Sequence, residues 1–212
     1  MKIIKAGYEI LTAISEGGIE ELQHIEKIGR VCYKSEDKIT ADGESAKKFV
    51  KMIIGRGHEA MIEHSSLSVK FTVDRGVSHE LVRHRIASFA QESTRYCNYS
   101  KDKFDNGVTF IKPFFFKDDS ERYTAWLSAM DVAEQSYLKL LELDATPQEA
   151  RSVLPNSTKT EIIITANYRE WRNFFKLRTA KAAHPQMREV TIPLLAELKN
   201  KLPIIFDDIE AE

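Results

Sequence analysis

The chain has 212 residues, 42% of them hydrophobic and 30% charged, a balance that suits one soluble globular domain able to bury a sizeable core. Its formal net charge of −1 gives no global basic field for nucleic acid, so any anion-binding groups must be local. Two cysteines, Cys32 and Cys97, make neither a zinc ligand set nor a disulfide framework, no signal-peptide core opens the chain, and no apolar run approaches the ~18 residues of a membrane span, so a cytoplasmic protein is expected.

In chain order, an edge strand and turn are expected over residues 2–14. After Gly17-Gly18, the residues Ile19, Leu22, Ile25 and Ile28 recur at helical spacing up to Arg30. Lys34 to Gly43 is polar and reads as a loop. Glu44 to Gly55 reads as a helix with Ala46, Phe49, Val50, Ile53 and Ile54 on one face, stopped by Gly55 and Gly57. His58-Glu59-Ala60-Met61-Ile62-Glu63-His64 has its two His six apart, not at the i, i+4 spacing of a zinc-protease helix, so metal hydrolysis is rejected.

Leu67, Val69, Phe71 and Val73 alternate with polar residues, a strand with one buried face. Val77 to Phe89 reads as a helix that turns Val77, Leu81 and Val82 inward and sets Glu80 against Arg83 and His84. Tyr96 to Asn106 reads as a loop, and Val108 to Phe116 as a strand broken at Pro113. Ser120 caps a long helix to about Leu143, whose stripe from Tyr123 to Leu141 suits a core or subunit interface. Thr146-Pro147-Gln148-Glu149 is a capping box, Thr158 to Ala166 is strand-like, and Asn167 with Glu170 repeats the capping-box spacing before a helix. Pro185 opens the last helix. With no repeat, low-complexity segment or linker, a single domain over residues 1–212 is expected, of α+β class, a mainly antiparallel sheet with long helices packed against it.

The chemistry concentrates in Arg83-His84-Arg85-Ile86-Ala87-Ser88-Phe89-Ala90-Gln91-Glu92-Ser93-Thr94-Arg95-Tyr96. Arginine forks match phosphate oxygens in bidentate fashion, so this density of donors suits a phosphate or pyrophosphate, or else a solvated, salt-bridged surface. The pattern Arg-His-Arg-x-x-Ser-x-x-x-x-Ser-x-Arg-Tyr resembles the signature of the flavin-dependent thymidylate synthases. Further on, Arg151 ahead of Leu154-Pro155, then Asn167-Tyr168-Arg169, Asn173 and Leu177-Arg178, match the same family in type and spacing. Upstream, Gly57-His58-Glu59 and Glu63-His64 are similar to its Gly-His-Glu and Glu-His pair.

That resemblance implies the thymidylate synthase-complementing protein fold and reductive methylation of dUMP to dTMP. Methylenetetrahydrofolate would give the carbon, FAD would carry hydride and NADPH would supply it, in a homotetramer whose sites are shared between subunits. No nucleic-acid or membrane partner is expected. Carried over position by position, Ala60, Arg83, His84, Arg85, Gln91, Asn167, Tyr168, Arg169 and Asn173 would bind FAD. Glu80, Leu81, Val82, Arg83, Gln91, Glu92, Ser93, Thr94, Arg95, Arg151 and Arg178 would hold dUMP, with Ser93 and Arg95 at its phosphate. Arg178 would be the catalytic group, a guanidinium that cannot deprotonate and so can stabilise charge developing on the pyrimidine without a thiol nucleophile. Three positions depart from the family: Ala90-Gln91 stands where Asn-Glu is frequent, Glu80 where Gln is common, and Ala60 where a hydroxyl is expected. These motivate a second reading, one-carbon transfer to another pyrimidine nucleotide. A third, from another class, is a nucleic-acid module using Phe89, Tyr96 and Tyr99 for stacking.

Overall fold

The computed structural model describes residues 1–212. Its strands are β1 (Lys2–Ile4), β2 (Gly7–Ile10), β3 (Ser66–Asp74), β4 (Ala87–Gln91), β5 (Thr109–Ile111) and β6 (Lys159–Asn167). Its helices are α1 (Ile19–Val31), α2 (Glu44–Gly55), α3 (Arg75–Leu81), α4 (Glu121–Glu142), α5 (Pro147–Ala150), α6 (Tyr168–Arg178) and α7 (Pro185–Lys201). Short 3-10 turns include Glu59–His64 and Arg151–Val153. β1 and β5 form a parallel pair, and the main sheet runs in the order β2-β3-β6-β4. Along β3 and β6 the register is antiparallel: Ser68 meets Thr165, whereas Arg75 N–H reaches Thr158 O. The fold is therefore α+β, with a mainly antiparallel sheet.

The chain packs as two compact units. The first holds Met1–Tyr8, Lys70–Arg83 and Phe89–Ile163, and the second Glu9–Val69, His84–Ser88 and Ile164–Glu212. In the first, Tyr99, Val108, Phe110, Met130, Tyr137 and Ala150 form a buried cluster. The α4 carboxylate of Glu134 is drawn inward to accept from Val108 N–H at 2.8 Å and to pair with the N-terminal amine, also at 2.8 Å. In the second, Trp171 stacks on Phe175 at 5.7 Å and meets Phe174 edge-on at 5.0 Å, while its indole N–H donates to Leu67 O. α1 lies close against α2 because residue 29 is glycine: a Cβ there would sit 2.5 Å from the Phe49 ring.

Several expectations hold to the residue. α2 ends in a Schellman motif, with Gly57 at φ +73°, its N–H on Ile54 O and the His58 N–H on Ile53 O. Leu67, Val69, Phe71 and Val73 are all buried on β3. Ser120 caps α4, and Thr146 and Glu149 complete their capping box.

Other expectations are corrected. Residues 2–14 make two strands, β1 and β2, that belong to different sheets. The strand expected over Val108–Phe116 is confined to Thr109–Ile111. The helix expected over Val77–Phe89 starts earlier, with Asp74 accepting from Val77 N–H, and stops at Leu81. The chain then turns, Val82 is partly exposed, and Ala87–Gln91 becomes an edge strand instead. Arg83, His84 and Arg85 thus stand on the connection between α3 and β4, not on a helix.

Candidate active site

In the second unit the site is built on α6. Asn167 accepts from Glu170 N–H at 2.9 Å, which starts the helix at Tyr168. From there Glu170, Phe174 and Arg178 follow at spacings of four, the positions that share one helix face. His84, only 5% exposed, packs its ring edge on Phe174 with centroids 4.8 Å apart. Its Nδ1 lies 2.9 Å from Glu170 Oε1, and Arg178 Nε–H donates to its Nε2 at 3.0 Å. An arginine Nε–H can only donate, so His84 Nε2 carries no proton and the ring proton sits on Nδ1. Burial holds the His84 pKa below its usual value; the Arg178 charge pushes the same way, and Glu170 opposes both without overcoming them. His84 is a neutral imidazole between a carboxylate and a guanidinium. The partner expected for it was Glu80, but the carboxylate it meets is Glu170.

The same unit holds an open cleft of 490 Å³ lined by Glu59, Glu63, Ile86, Asn167, Arg169, Glu170, Asn173 and Lys176. Its carboxylates serve the arginines of α6. Glu63 accepts from Arg169 Nη1, and Glu59 accepts from Arg172 Nε at 3.2 Å. Arg172 is 2% exposed and forks onto Asp208 at 2.6 and 2.7 Å. The Gly-His-Glu and Glu-His pair seen in the sequence thereby has a physical account: its two carboxylates anchor the helix that follows β6. Ala60 is exposed on the Glu59–His64 turn, and Arg85 is exposed. Tyr168 is buried against Phe206, ring centroids 6.2 Å apart, so its phenol cannot meet a ligand and only its backbone could.

The first unit gathers most of the residues expected for the nucleotide. Gln91 Nε2 donates to Ser78 Oγ at 2.9 Å and to Thr160 Oγ1 at 3.2 Å. Glu92 accepts from Lys159 Nζ and from the Tyr99 hydroxyl, both at 2.8 Å. Burial, the largest single influence, would lower the Lys159 pKa, but the bonds and charges of Glu92 and Glu161 together outweigh it and raise it; Tyr99 is pushed well above its ordinary range, by burial first and then by Glu92. Thr94 is buried and accepts from Arg151 Nη1 at 3.3 Å. Ser93 Oγ accepts from Arg95 N–H, and the Arg95 guanidinium lies 5.5 Å over the Tyr96 ring. Arg83 and Arg95 are exposed, and neither guanidinium is engaged by a carboxylate. Leu81 is fully buried, and Glu80 is partly buried with its carbonyl accepting from Arg83 N–H.

The sequence reading missed Glu170, Glu59, Glu63 and Arg172 on one unit, and Ser78, Tyr99, Lys159 and Thr160 on the other. Glu170 carried a signal, the capping-box spacing, but that spacing points to the Asn167 backbone rather than to His84. Glu59 and Glu63 were seen in the Gly-His-Glu and Glu-His pair, and Tyr99 as a stacking candidate, but without these partners; Arg172, Ser78, Lys159 and Thr160 are engaged from distant parts of the chain, which no local pattern announces.

The family model described as thymidylate synthase complementing protein matches residues 19–204. The flavin-dependent thymidylate synthase of Corynebacterium aurimucosum is 33% identical over 211 residues, covering 92% of this chain and 82% of its own. That of Mycolicibacterium vanbaalenii is 35% identical over 202 residues, covering 88% and 78%. Among solved structures, a UMP/dUMP methylase from Streptomyces cacaoi, bound with 5-Br dUMP, superposes with a TM-score of 0.78 at 22% identity, covering 98% of this chain and 96% of its own, a likeness of fold. The blocks around Arg83–Tyr96, Arg151 and Asn167–Arg178 and the match over most of the chain agree, and the chain belongs to the flavin-dependent thymidylate synthase family.

Proposed function

We propose that the protein catalyses reductive methylation of dUMP to dTMP, using FAD, methylenetetrahydrofolate and NADPH, as a homotetramer of single-domain chains with sites shared between subunits. Family membership supports it, as does the match of the family model through both units. The observation that carries it is Arg178, a permanently charged group held through its Nε by a neutral imidazole.

The residues of the second unit fit a flavin. The cleft is large enough for a ring system, offers the side-chain amides of Asn167 and Asn173 and the cations Arg169 and Lys176, and presents Ile86, which is 70% exposed, as an apolar surface. When bound, the flavin supplies the hydride chemistry, which no side chain can. Arg85, with no carboxylate partner, suits its phosphates.

On the pyrimidine, C5 must become electron-rich before it can accept a one-carbon unit. Arg178 would stabilise the negative charge that spreads over the ring around N3. Ser93, Arg95 and Arg151 would hold the nucleotide phosphate, and Arg83 stands next in the chain to His84. The carboxylate of Glu92, which would repel that phosphate if bare, is neutralised by Lys159. Cys97 is not prepared as a nucleophile, since burial and then Glu92 raise its pKa. This agrees with activation by charge rather than by a covalent thiol adduct.

Gln91 motivates a second reading. Its amide nitrogen is committed to Ser78 and Thr160, so the group it can offer a base is its carbonyl oxygen. An acceptor suits N3–H of uracil and equally the amino group of cytosine. Parallel turnover assays with dUMP and dCMP, with product masses measured, separate the two; methylated product from dCMP alone would overturn the first reading.

The deciding experiment begins with the absorption spectrum of the purified protein and identification of the released chromophore, FAD being expected. Arg178→Ala should then retain flavin and lose about 100-fold or more in dTMP formation, the scale of removing one charge-stabilising donor. Full turnover by that variant would sink the assignment.

A further inference from the structure

We propose that Glu170 is a positioning residue whose buried carboxylate fixes His84 as the Nδ1–H tautomer, so that the bare Nε2 of His84 holds the Nε–H of Arg178. The proposal rests on the reading of Arg178 as the activating group.

Glu170 stands at the third position of α6, where a capping box would turn its carboxylate back to the Asn167 backbone. At Thr146–Glu149 that reciprocal bond is made, with Thr146 N–H donating to Glu149 at 2.8 Å. In α6 only half of the box exists: Glu170 N–H donates to Asn167, while the carboxylate turns to His84 at 2.9 Å. Asn173 Nδ2 approaches both of its oxygens at 3.4 Å. A good local hydrogen bond is thus replaced by one to a residue 86 positions away in the chain. The Glu170 side chain is 9% exposed, at the wall of the cleft, and that of His84 5%, so the pair is largely shielded from water, where it is electrostatically stronger.

Which ring nitrogen of a histidine carries the proton is set by the hydrogen bond made at the other one. With Glu170 accepting from Nδ1–H, Nε2 is an acceptor, and Arg178 Nε–H can close on it. With the proton on Nε2, two N–H donors would face each other across the same 3.0 Å. A doubly protonated ring would do the same and set two cations together. Without the carboxylate nothing at Nδ1 selects the productive form, and the Nε–H of Arg178 loses the acceptor that His84 offers it. The Phe174 ring beside His84 offers no acceptor that could substitute.

The test compares Glu170→Ala and Glu170→Gln with the parent, each with its flavin content measured. 15N-histidine NMR, assigned with His84→Asn, reads the tautomer independently of turnover. The parent should show a protonated Nδ1 and a bare Nε2. Glu170→Ala should lose that signature, with kcat falling about tenfold or more, as for removal of other orienting partners, while KM for dUMP and flavin content stay within twofold. Glu170→Gln, which can present either its oxygen or its nitrogen to Nδ1, should show a kcat that follows its Nδ1–H fraction.

A retained signature in Glu170→Ala would overturn the proposal. So would a fall in kcat with the signature intact, which marks a merely structural role, or loss of the signature with kcat intact. If Glu170→Ala does not fold, Glu170→Gln decides by the same comparison of tautomer with kcat. Full turnover in Arg178→Ala together with an altered tautomer in Glu170→Ala would instead locate the failure in the role of Arg178.

Discussion

Arg169 and Arg172 lie three residues apart on α6, and their burial gives them different work. Arg169 is half-exposed and reaches into the cleft, where a ligand can find it. Arg172 is enclosed, donates to Ile205 O and forks onto Asp208, so it ties the C-terminal segment to α6. The family pattern in the sequence named only the first, because an arginine that braces structure looks the same in a sequence as one that binds substrate. The hydrogen bond from Arg172 holds the Asp208 carboxyl below its usual pKa, with burial opposing it. A carboxylate with a depressed folded pKa contributes stability that is fully present above its unfolded pKa of about 4 and is lost as pH falls through the folded value. Asp208→Asn should therefore unfold at lower urea than the parent at neutral pH, by about 1 kcal/mol once solvent screening of this half-exposed carboxylate is allowed for. The gap should narrow as the pH is taken below about 4. An unchanged gap down to low pH would mean that the Asp208 charge contributes nothing. Arg95 poses the complementary case, a cation with no carboxylate partner. Arg95→Ala should leave the urea midpoint unmoved and raise KM for dUMP about tenfold or more, the scale of one charge-assisted hydrogen bond; an unchanged KM would remove Arg95 from the phosphate site.

At the scale of elements, legibility followed the locality of the forces. α2, β3, the α4 cap and the α5 box were readable because each is decided by residues a few positions apart: an apolar stripe, a strict alternation, a side chain reaching the third amide on. The stretch from Val77 to Phe89 was not. Nothing in it breaks a helix, and its helical spacing is genuine as far as Leu81. What ends α3 comes from elsewhere. His84 is drawn to Glu170, Gln91 to Thr160, and the Glu92 N–H pairs with Glu161 O on β6. Sheet pairing and buried polar bonds outweigh a weak intrinsic preference. The Arg-His-Arg motif was found by its letters while its placement was misjudged: it stands on the connection between α3 and β4, with both arginines exposed and the histidine buried. α6 offers a test of the local kind. Asn167→Ala should lower the free energy of unfolding by about 1 kcal/mol, whereas Asn167→Asp, which keeps the acceptor for the Glu170 N–H, should preserve it. Equal losses in both would show that the amide matters through the cleft and not as a cap.

Across the whole molecule, the expected residues divide with the packing. Those read for the nucleotide lie in the first unit, apart from Arg178, and those read for the flavin lie in the second, apart from Arg83 and Gln91. Composition could show none of this, since a near-zero net charge averages over local groups of opposite sign. It also could not say how much of α4 is covered. The stripe read from the sequence as core or subunit interface is partly core: Met130 and Tyr137 are buried and Trp126 and Leu127 half-buried, while off that stripe Val132 and, at the helix C-cap, Leu143 stand 59% and 66% exposed. Val132 on this helix and Leu143 at its cap are the two open apolar side chains here that an assembly would cover. If the proposed homotetramer forms through this helix, native mass spectrometry should give four 24.3 kDa chains for the parent. Val132→Asp combined with Leu143→Glu should give smaller species, because a carboxylate cannot be buried in an apolar contact without a partner. Where sites are shared between subunits, dTMP formation should fall with the fraction of tetramer and recover as protein concentration is raised, by mass action. A double variant that remains tetrameric and fully active would exclude this face of α4 from the assembly, and a parent that runs as a monomer with full turnover would overturn shared sites altogether.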